Sequence, residues 1–505
     1  MGAGGAGAVV CAGAGPEGVG VGMSTVDALL EGQRAAFLRD GIPDAATRFD
    51  RVTRLQALVL EHAEEFALAL AQDFGTRPRE VSMLTDVIGC IGDLQYQKKH
   101  VARWMKPEPR APGLARTGLR QRLRHDPLGV VGVMGPWNFP LQLTVLPAGT
   151  ALAAGNRVML RPSEVTARTA ALLAALAGQY FSPEELAVVT DEQADGPTFA
   201  ALQFDHLFFT GSPDVGAKVA EAAGRNLVPV TLELGGKNPV VVDRSADLVR
   251  AATRIAASRM VNGGQVCMCP DYVLVPEELQ DGFVDEVLGA WRRSFASVAD
   301  NAQYTSSINE RHFDHVTRLI DDAAARGARV RCHVPEGESL PDRERRKVAP
   351  TVLTGVPPDA AINHEEIFGP ALVVHPYRRL ADAIAHVNAH PHPLTVYWYG
   401  ADNDRYRQLQ AQTRSGSVNG NDFTANFLGS ALPFGGVGRS GSGAYRGRAG
   451  FETFTHARAV AYSRWPLSLA EVMAPPYLGR HARAVDVQLA VLRRRIRRDR
   501  ARAPR

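Results

Sequence analysis

Hydrophobic and polar residues change their spacing along the chain near residue 127. Before this point apolar residues recur at helical intervals, with Leu55, Leu58, Val59, His62 and Phe66 on one face, which predicts amphipathic helices. After it, short apolar runs alternate with amphipathic stretches, which predicts strands that alternate with helices. Strands are predicted at 130–134, 157–160, 186–190 and 206–210. One helix is predicted at 164–180, and a second follows the last of these strands and ends at residue 223. The alternation indicates a parallel, doubly wound α/β sheet.

A second series of strands and helices begins at Pro239–Val242, with helices near 245–261 and 278–297. It predicts a second α/β domain that ends at about residue 450.

The segment Pro127–Asn156 holds thirty residues without a charge. Its prolines and polar residues predict a buried strand, a loop and a buried helix rather than a membrane span.

The two ends of the chain differ from its body. Residues 1–22 are almost wholly Gly, Ala and Val, which predicts disorder and makes Met23 an alternative start. A Ser/Thr cap at Ser24 begins the first helix.

The basic tail, residues 477–505, carries an apolar stripe at Val485, Leu489, Leu492 and Ile496. Such a stripe is typical either of a solvated helix or of contact with an anionic membrane surface.

Composition narrows the class of protein. The 505 residues are 45% hydrophobic and 22% charged, which predicts two or three globular domains. The formal net charge is +4, but Arg480–Arg505 alone contributes ten arginines and two aspartates, so the body is slightly acidic and no nucleic-acid binder. Five scattered cysteines indicate a reducing compartment. Without a cationic leader or an anchor, the sequence predicts a soluble cytoplasmic protein with no stable membrane anchor.

Three segments carry candidate chemistry. Cys267 ends the Gly-rich run Asn262–Cys267, where an exposed sulfur with backbone N–H groups nearby would favour the thiolate, although a buried, inert cysteine is the alternative. Glu233 interrupts an apolar strand before a Gly pair, which suits a general base or a salt bridge. Asn138 follows a buried strand, where its amide could donate to an oxyanion or simply form a turn.

Together these segments resemble the aldehyde dehydrogenase superfamily. The resemblance runs from Ser24 to Pro476 and includes three further segments, Phe209–Gly216, Glu365–Pro370 and Pro433–Gly438. Within the superfamily, segments such as Trp104–Pro107 and Asn309–Phe313 are most similar to the coniferyl-aldehyde dehydrogenase branch.

The resemblance implies a reaction and its residues. Cys267 would attack the aldehyde to give a thioester after hydride transfer, Asn138 and the Cys267 N–H would hold the oxyanion, and Glu233 would activate the hydrolytic water. NAD is the implied cofactor, with NADP possible, and no metal is expected. The substrate would be an aromatic or α,β-unsaturated aldehyde. The implied cofactor contacts are Arg161, Ser163, Glu164, Gly211, Ser212, Gly216, Glu366 and Phe368.

The resemblance also implies an organisation into domains. Residues 23–106 and 127–235 would form a Rossmann-like cofactor domain, and residues 236–450 an α/β catalytic domain. Residues 107–126 would form a small, projecting oligomerisation hairpin. Residues 456–466 would be a second oligomerisation segment, which extends a partner's sheet in a homodimer.

Three residues depart from the family pattern, and three other functions stay open. Arg161 replaces a usual Lys, Cys269 a small residue, and Arg446 the branch's usual His.

The alternative functions are a CoA-acylating dehydrogenase, a cysteine-dependent thioesterase or esterase, and a non-catalytic protein that retains the fold. Neither of the last two would need Glu366 and Phe368.

Overall fold

A computed structural model describes residues 24–465, 468–477 and 479–502. The predicted disorder of residues 1–22 therefore lies outside the described residues, as does residue 466 of the second oligomerisation segment. The chain divides into two compact units. The first holds the described residues up to Met105 together with Asp126–His456, and the second holds Lys106–His125 and the described residues from Ala457 onward.

A six-stranded sheet in the first unit confirms the predicted doubly wound sheet. In spatial order its strands are Gly441–Ser442, Val230–Leu234, His206–Gly211, Val130–Met134, Arg157–Arg161 and Leu186–Val188. Five are parallel to their neighbours, and Gly441–Ser442 alone runs antiparallel, beside Val230–Leu234. Since the later strands lie on both sides of Val130–Met134, the sheet has the crossover order of a Rossmann-like fold.

A second sheet in the same unit has seven strands. Their spatial order is Arg329–Cys332, Thr351–Thr354, Ala371–Tyr377, Pro270–Pro276, Asn238–Val242, Thr395–Tyr399 and Ser417–Gly420. Only Arg329–Cys332 is antiparallel. The two sheets separate at residues 235–237, next to the predicted boundary, but Gly441–Ser442 returns to the first sheet. The division into a cofactor domain and a catalytic domain stays a prediction.

Helices cover these sheets. The α-helices of the first unit are Thr25–Asp40, Ala45–Glu61, Ala63–Phe74, Arg79–Ser82, Gly89–Trp104, Gln142–Ala154, Ala167–Tyr180, Gly196–Ala200, Pro213–Arg225, Leu248–Met260, Gln280–Ser294, Glu310–Ala325, Leu380–Asn388, Asp404–Gln412 and Gly447–Thr453. Ser24 accepts a hydrogen bond from the Asp27 N–H and caps the first helix, as predicted. All residues of Gln142–Ala154 are buried, which explains the long uncharged segment. Within the described ranges, no helix is both long and apolar enough to cross a membrane.

The second unit contains a small sheet and the basic tail. Its sheet is formed by the strand Glu108–Arg110 and by most of the strands Leu119–Pro127 and Thr455–Ser463, with Leu119–Pro127 in the centre. Glu108–Arg110 and Leu119–Pro127 pair antiparallel, so residues 107–126 form the expected hairpin. The helices of this unit are Pro112–Ala115, Leu469–Met473 and Gly479–Arg502. The oligomerisation role of the sheet stays a prediction.

Candidate active site

One cavity of about 1780 Å³ in the first unit brings the predicted site residues together. Cys267, Glu233 and Asn138 all line it. Most of the predicted cofactor residues line it as well, namely Arg161, Ser163, Glu164, Gly211, Ser212, Glu366 and Phe368. Gly216 does not line the cavity. This convergence of a thiol, a carboxyl and a side-chain amide is the arrangement that acyl transfer through a covalent intermediate requires.

The turn before Cys267 folds into a conformation that glycine makes possible. Asn262, Gly263 and Gly264 have φ values of 50°, 64° and 79°. A Cβ on Gly264 would overlap the carbonyl oxygen of Gly369. Asparagine and glycine tolerate this left-handed region best, so the sequence Asn-Gly-Gly specifies the turn.

Buried polar side chains then fix the backbone around the nucleophile. Gln265 Nε2 donates to the Asn262 carbonyl at 2.9 Å. Asn238 Nδ2 donates to the carbonyl oxygens of Cys267, at 2.8 Å, and Cys269, at 3.1 Å. The backbone around Cys267 is therefore held by a network of hydrogen bonds that reaches both sides of the turn. The sequence pattern did not point to Gln265 and Asn238 as part of this network.

Burial governs the charge of Cys267. It raises the pKa of the thiol to about 12, and the carboxyls of Glu366 and Glu233 contribute to the rise. The backbone N–H groups of Met268 and Cys267 oppose the shift without reversing it. The backbone N–H groups therefore favour the thiolate, as the sequence predicts, but desolvation and like charge outweigh their effect on the pKa.

Glu233 is buried without a counter-charge. It lies on the strand Val230–Leu234, and its side chain is 4% exposed. Neither carboxyl oxygen has a hydrogen-bond partner among the described residues, so the alternative of a salt bridge finds no support there. Burial raises the pKa of this carboxyl well above its usual range. A carboxyl in this state binds a proton strongly, which is the property of a general base.

Asn138 is held in place from both its side chain and its backbone. Its Nδ2 donates to the Gln265 carbonyl at 3.1 Å, which leaves its second amide hydrogen for another acceptor. Its own carbonyl accepts from Arg77 Nη1 at 3.0 Å and from Asn262 Nδ2 at 3.1 Å. Arg77 is in turn paired with Asp86 at 2.6 Å, and both of these side chains are fully buried. Sequence analysis did not point to this ion pair, because its residues lie outside the quoted motifs.

Arg161 is already engaged by acidic neighbours. Its guanidinium donates to Glu164 at 3.2 Å, to the Ala194 carbonyl at 3.2 Å, and to Asp191. The Arg161 side chain is buried, whereas the two carboxylates are about half exposed. The pattern of the family did not reveal Asp191, which also lines the cavity.

Ser212 and Gly216 have different places in one βα turn. Ser212 Oγ accepts from the Val215 N–H and caps the helix Pro213–Arg225, whose N-terminus lies at the cavity. Helix N-termini attract anions, so this end suits a pyrophosphate. Gly216 instead lies where a Cβ would come within 2.6 Å of the Leu234 side chain. Its lack of a side chain lets the helix approach the sheet.

Glu366 and Phe368 form the far side of the predicted cofactor site. The Glu366 carboxyl lies over Gly235, where a Cβ would overlap it. Burial, followed by the charge of Asp271, raises the pKa of Glu366 to about 8. Phe368 has a φ of 49°, and its ring contacts Trp137 edge to face at 5.3 Å between ring centroids.

Several aromatic side chains also line the cavity. Trp137 packs against His312 at 4.5 Å between centroids, and Phe434 packs against Tyr445 at 5.9 Å. All four residues line the cavity with Cys267. Although Trp137 and Phe434 stand inside the quoted motifs, only the structure shows that they line one cavity.

The other two departures from the family pattern lie behind the site. Cys269 is buried, its sulfur is 3.6 Å from the Ser258 carbonyl, and burial raises the pKa of its thiol to about 11. Arg446 Nε and Nη2 each donate to Asp93 at 2.9 Å, and its guanidinium lies 4.0 Å from the centre of the Phe427 ring. Among the residues that the structure covers, no group of three or more His, Cys, Asp or Glu could hold a metal ion.

Comparisons with known proteins agree with this geometry. The profile of the aldehyde dehydrogenase family matches residues 22–460. A coniferyl aldehyde dehydrogenase of a Pseudomonas species is 44% identical over 88% of this chain and 92% of that protein. A dimeric, NADP-preferring aldehyde dehydrogenase of Rattus norvegicus is 36% identical over 86% of this chain and 94% of that protein. The substrate-bound structure of Staphylococcus aureus AldH has a TM-score of 0.84 and 30% identity, and the match covers 92% of this chain and all of that one.

Proposed function

We infer that Cys267, Glu233 and Asn138 carry the reaction of this chain, which belongs to the aldehyde dehydrogenase family and oxidises an aldehyde to the carboxylic acid with NAD(P). One observation supports the inference most: all three side chains line the cavity that also holds most of the predicted cofactor residues. Family membership leaves the thioesterase and non-catalytic alternatives without support.

The residues present fit a dinucleotide. The capped N-terminus at Ser212 suits its pyrophosphate, and Gly235 leaves room for the Glu366 carboxyl at the other end of the site. When bound, NAD(P) would supply the hydride acceptor. Arg161, Ser163 and Glu164 would hold the adenosine side.

Acylation begins at the Cys267 sulfur. The thiolate attacks the carbonyl carbon, and the carbonyl oxygen becomes an oxyanion. The free hydrogen of Asn138 Nδ2 and the Cys267 backbone N–H would donate to that oxygen. Removing one such donor typically lowers the rate by about 10²–10³-fold. After the hydride has left, the substrate remains on Cys267 as a thioester.

Glu233 acts in deacylation. Its carboxylate takes a proton from water while the oxygen of that water attacks the thioester carbon. The bond from carbon to sulfur breaks, the acid is released and the Cys267 sulfur is regenerated. Because no described residue shares the Glu233 oxygens, the carboxylate is available to the water.

Pre-steady-state kinetics test these roles. Cys267→Ala should abolish turnover, whereas the matched variant Cys269→Ala should retain it, since Cys269 does not line the cavity. Glu233→Gln should keep a first burst of NADH and then turn over slowly. Loss of the burst would show that Glu233 also deprotonates Cys267. Activity of Cys267→Ala at the level of the wild type would overturn the mechanism.

The substrate is proposed to be an aromatic or α,β-unsaturated aldehyde. Trp137, Phe434 and Tyr445 support this class, because aromatic walls favour flat, conjugated groups. The name of the Pseudomonas relative agrees with it. We expect higher kcat/KM for cinnamaldehyde than for acetaldehyde, and a smaller difference in Trp137→Leu. A preference of the wild type for acetaldehyde would contradict this substrate class.

The cofactor is proposed to be NAD, with NADP used less well. Glu164 and Asp191 both hold the Arg161 guanidinium, so a 2′-phosphate would have to compete with two carboxylates. Arg161 can still bind the 2′-phosphate, but more weakly than an arginine without these carboxylate partners. Arg161→Lys should therefore weaken NADP more than NAD, because Lys lacks the planar pair of donors.

A second variant separates the effect of Asp191 from that of charge alone. Asp191→Asn should raise kcat/KM for NADP relative to NAD by about tenfold, the value of one charge-assisted hydrogen bond. Asp195 lines the same cavity but accepts no hydrogen bond from Arg161. Asp195→Asn therefore removes a carboxylate without freeing Arg161, and it should change the ratio of kcat/KM for NADP to that for NAD less. Equal effects of the two variants would contradict a direct role for Asp191.

A homodimer is proposed as the assembly. The strand Thr455–Ser463 is the outer strand of its three-stranded sheet, and most of its side chains are exposed. An edge strand of this length exposes backbone donors and acceptors that a second copy can pair with. The rat relative is described as dimeric.

A further inference from the structure

The last helix, Gly479–Arg502, concentrates positive charge, and we call it the basic helix. It contains nine arginines and two aspartates, and seven of the arginines lie between residues 493 and 502. Every side chain from Ala482 to Arg502 is exposed. Neighbouring arginines at this density repel one another, so an external surface of negative charge would stabilise the helix.

Four apolar side chains form a stripe along the basic helix. They are Val485, Leu489, Leu492 and Ile496, and each is between 41% and 57% exposed. At about 100° per residue the four fall within an arc of about 60°, over a length of about 16 Å. The stripe is therefore a narrow, continuous apolar surface rather than a set of scattered residues.

The arginines are arranged around this stripe. Arg493 and Arg495 follow Leu492 on either side of the stripe, while Arg494 and Arg498 lie on the opposite face of the helix. Arginine can bury its methylene groups at an apolar boundary while its guanidinium reaches a polar layer. A basic helix with one apolar stripe is the pattern of segments that lie in a membrane surface.

Two other occupants fit the helix less well. A second copy would use the stripe as a coiled-coil seam, but this would bring the flanking Arg493 and Arg495 of two helices together. A nucleic acid would satisfy the arginines and leave the four apolar side chains in water. An anionic lipid surface satisfies both features, because its headgroups pair with arginine and its acyl chains accept the stripe.

We propose that the basic helix lies in the surface of a membrane rich in anionic lipids, with the stripe toward the acyl chains and the arginines among the headgroups. The interaction does not depend on the proposed catalytic roles. Tyr477, just before the helix, is 70% exposed and is of the residue type that favours such interfaces.

Sedimentation with vesicles tests this proposal on the full chain. One set of vesicles contains phosphatidylcholine alone, and the other contains about 30% phosphatidylglycerol as the source of negative charge. The protein should sediment with the anionic vesicles only, and less at high salt. Failure to bind the anionic vesicles would overturn the proposal.

Two matched double variants separate insertion from simple charge attraction. Leu489→Glu with Leu492→Glu places two carboxylates on the stripe, and Val487→Glu with Val491→Glu places two on the other side of the helix. Both pairs change the net charge equally. The stripe variant should bind anionic vesicles at least about tenfold more weakly than the control variant.

Three further results would contradict a lipid surface. An equal loss of vesicle binding in both variants would show that charge attraction alone holds the helix at the vesicle. Tighter binding to duplex DNA than to vesicles, unaffected by the stripe variant, would identify a nucleic-acid site. A lower molecular mass of the stripe variant in solution would identify a second copy as the occupant. Oxidation of a small water-soluble aldehyde, measured for both variants, checks that the protein is folded.

Discussion

Burial raises the pKa of three side chains in the catalytic cavity. Glu233 shifts well above its usual range, Glu366 to about 8 and Cys267 to about 12. For each group the neutral form predominates until the pH exceeds the raised pKa. The nucleophile and the base are both active only after losing a proton, so these shifts make the reaction favour alkaline conditions.

The pH dependence of turnover follows from Glu233. If hydrolysis of the thioester limits kcat, kcat should rise with pH from neutral upward, since the carboxylate appears only above its raised pKa. The residual turnover of Glu233→Gln should lose this rise, whereas Glu366→Gln should keep it. Steady-state profiles of the three proteins provide the measurement. A kcat of the wild type that stays constant over about three pH units, from about pH 6 to about pH 9, would contradict the assignment.

Arg446 and Asp93 form a buried ion pair that the structure alone reveals. Their side chains are 3% and 1% exposed, and 353 residues separate them in sequence. Arg446→Ala would leave Asp93 buried without its partner and should lower the free energy of unfolding by about 3–5 kcal/mol.

A neighbouring arginine supplies the control for that prediction. Arg448 pairs with Glu452 on the surface, with both side chains nearly half exposed, so Arg448→Ala should change stability little. Urea denaturation of both variants gives the comparison. Equal stability of the two would contradict a structural role for the Arg446 pair.

At the scale of secondary-structure elements, the turn before Cys267 depends on Gly264. Gly264→Ala should lower kcat by about 10²-fold, because the left-handed φ and the overlap with the Gly369 carbonyl would displace the nucleophile. Gly178→Ala is the matched control: this glycine lies in the helix Ala167–Tyr180 with open space around it. It should stabilise the protein by about 0.5–1 kcal/mol and keep kcat. Normal turnover of Gly264→Ala would show that the turn adapts.

At the scale of the whole molecule, the edge strand Thr455–Ser463 predicts the assembly. Light scattering should give about twice the chain mass of 54.4 kDa. Adjacent strand residues direct their N–H groups to opposite edges, so one of Ala459→Pro and Val460→Pro removes a donor from the outer edge. That variant should shift the mass toward the monomer. A wild type with the mass of one chain would contradict the dimer.

Local pattern was enough to predict much of the molecule. The strands Val130–Met134, Arg157–Arg161 and His206–Gly211 follow from short apolar runs, and the cap at Ser24 follows from its side chain. The motifs around Cys267 depend on spacing between near neighbours, which a linear sequence displays directly. For the same reason the family could be identified from the sequence, and the family profile confirms it.

Only the tertiary structure decided how those residues behave. The backbone N–H groups at Cys267 favour the thiolate, but burial and two carboxyls from distant segments outweigh them and raise the pKa of the thiol. The fold places Asp191 against Arg161, and it packs Gly216 against the Leu234 side chain outside the cavity. Residue type and local spacing determine which element and motif form. Desolvation and charge pairing instead depend on segments far apart in sequence, which meet only when the chain has folded.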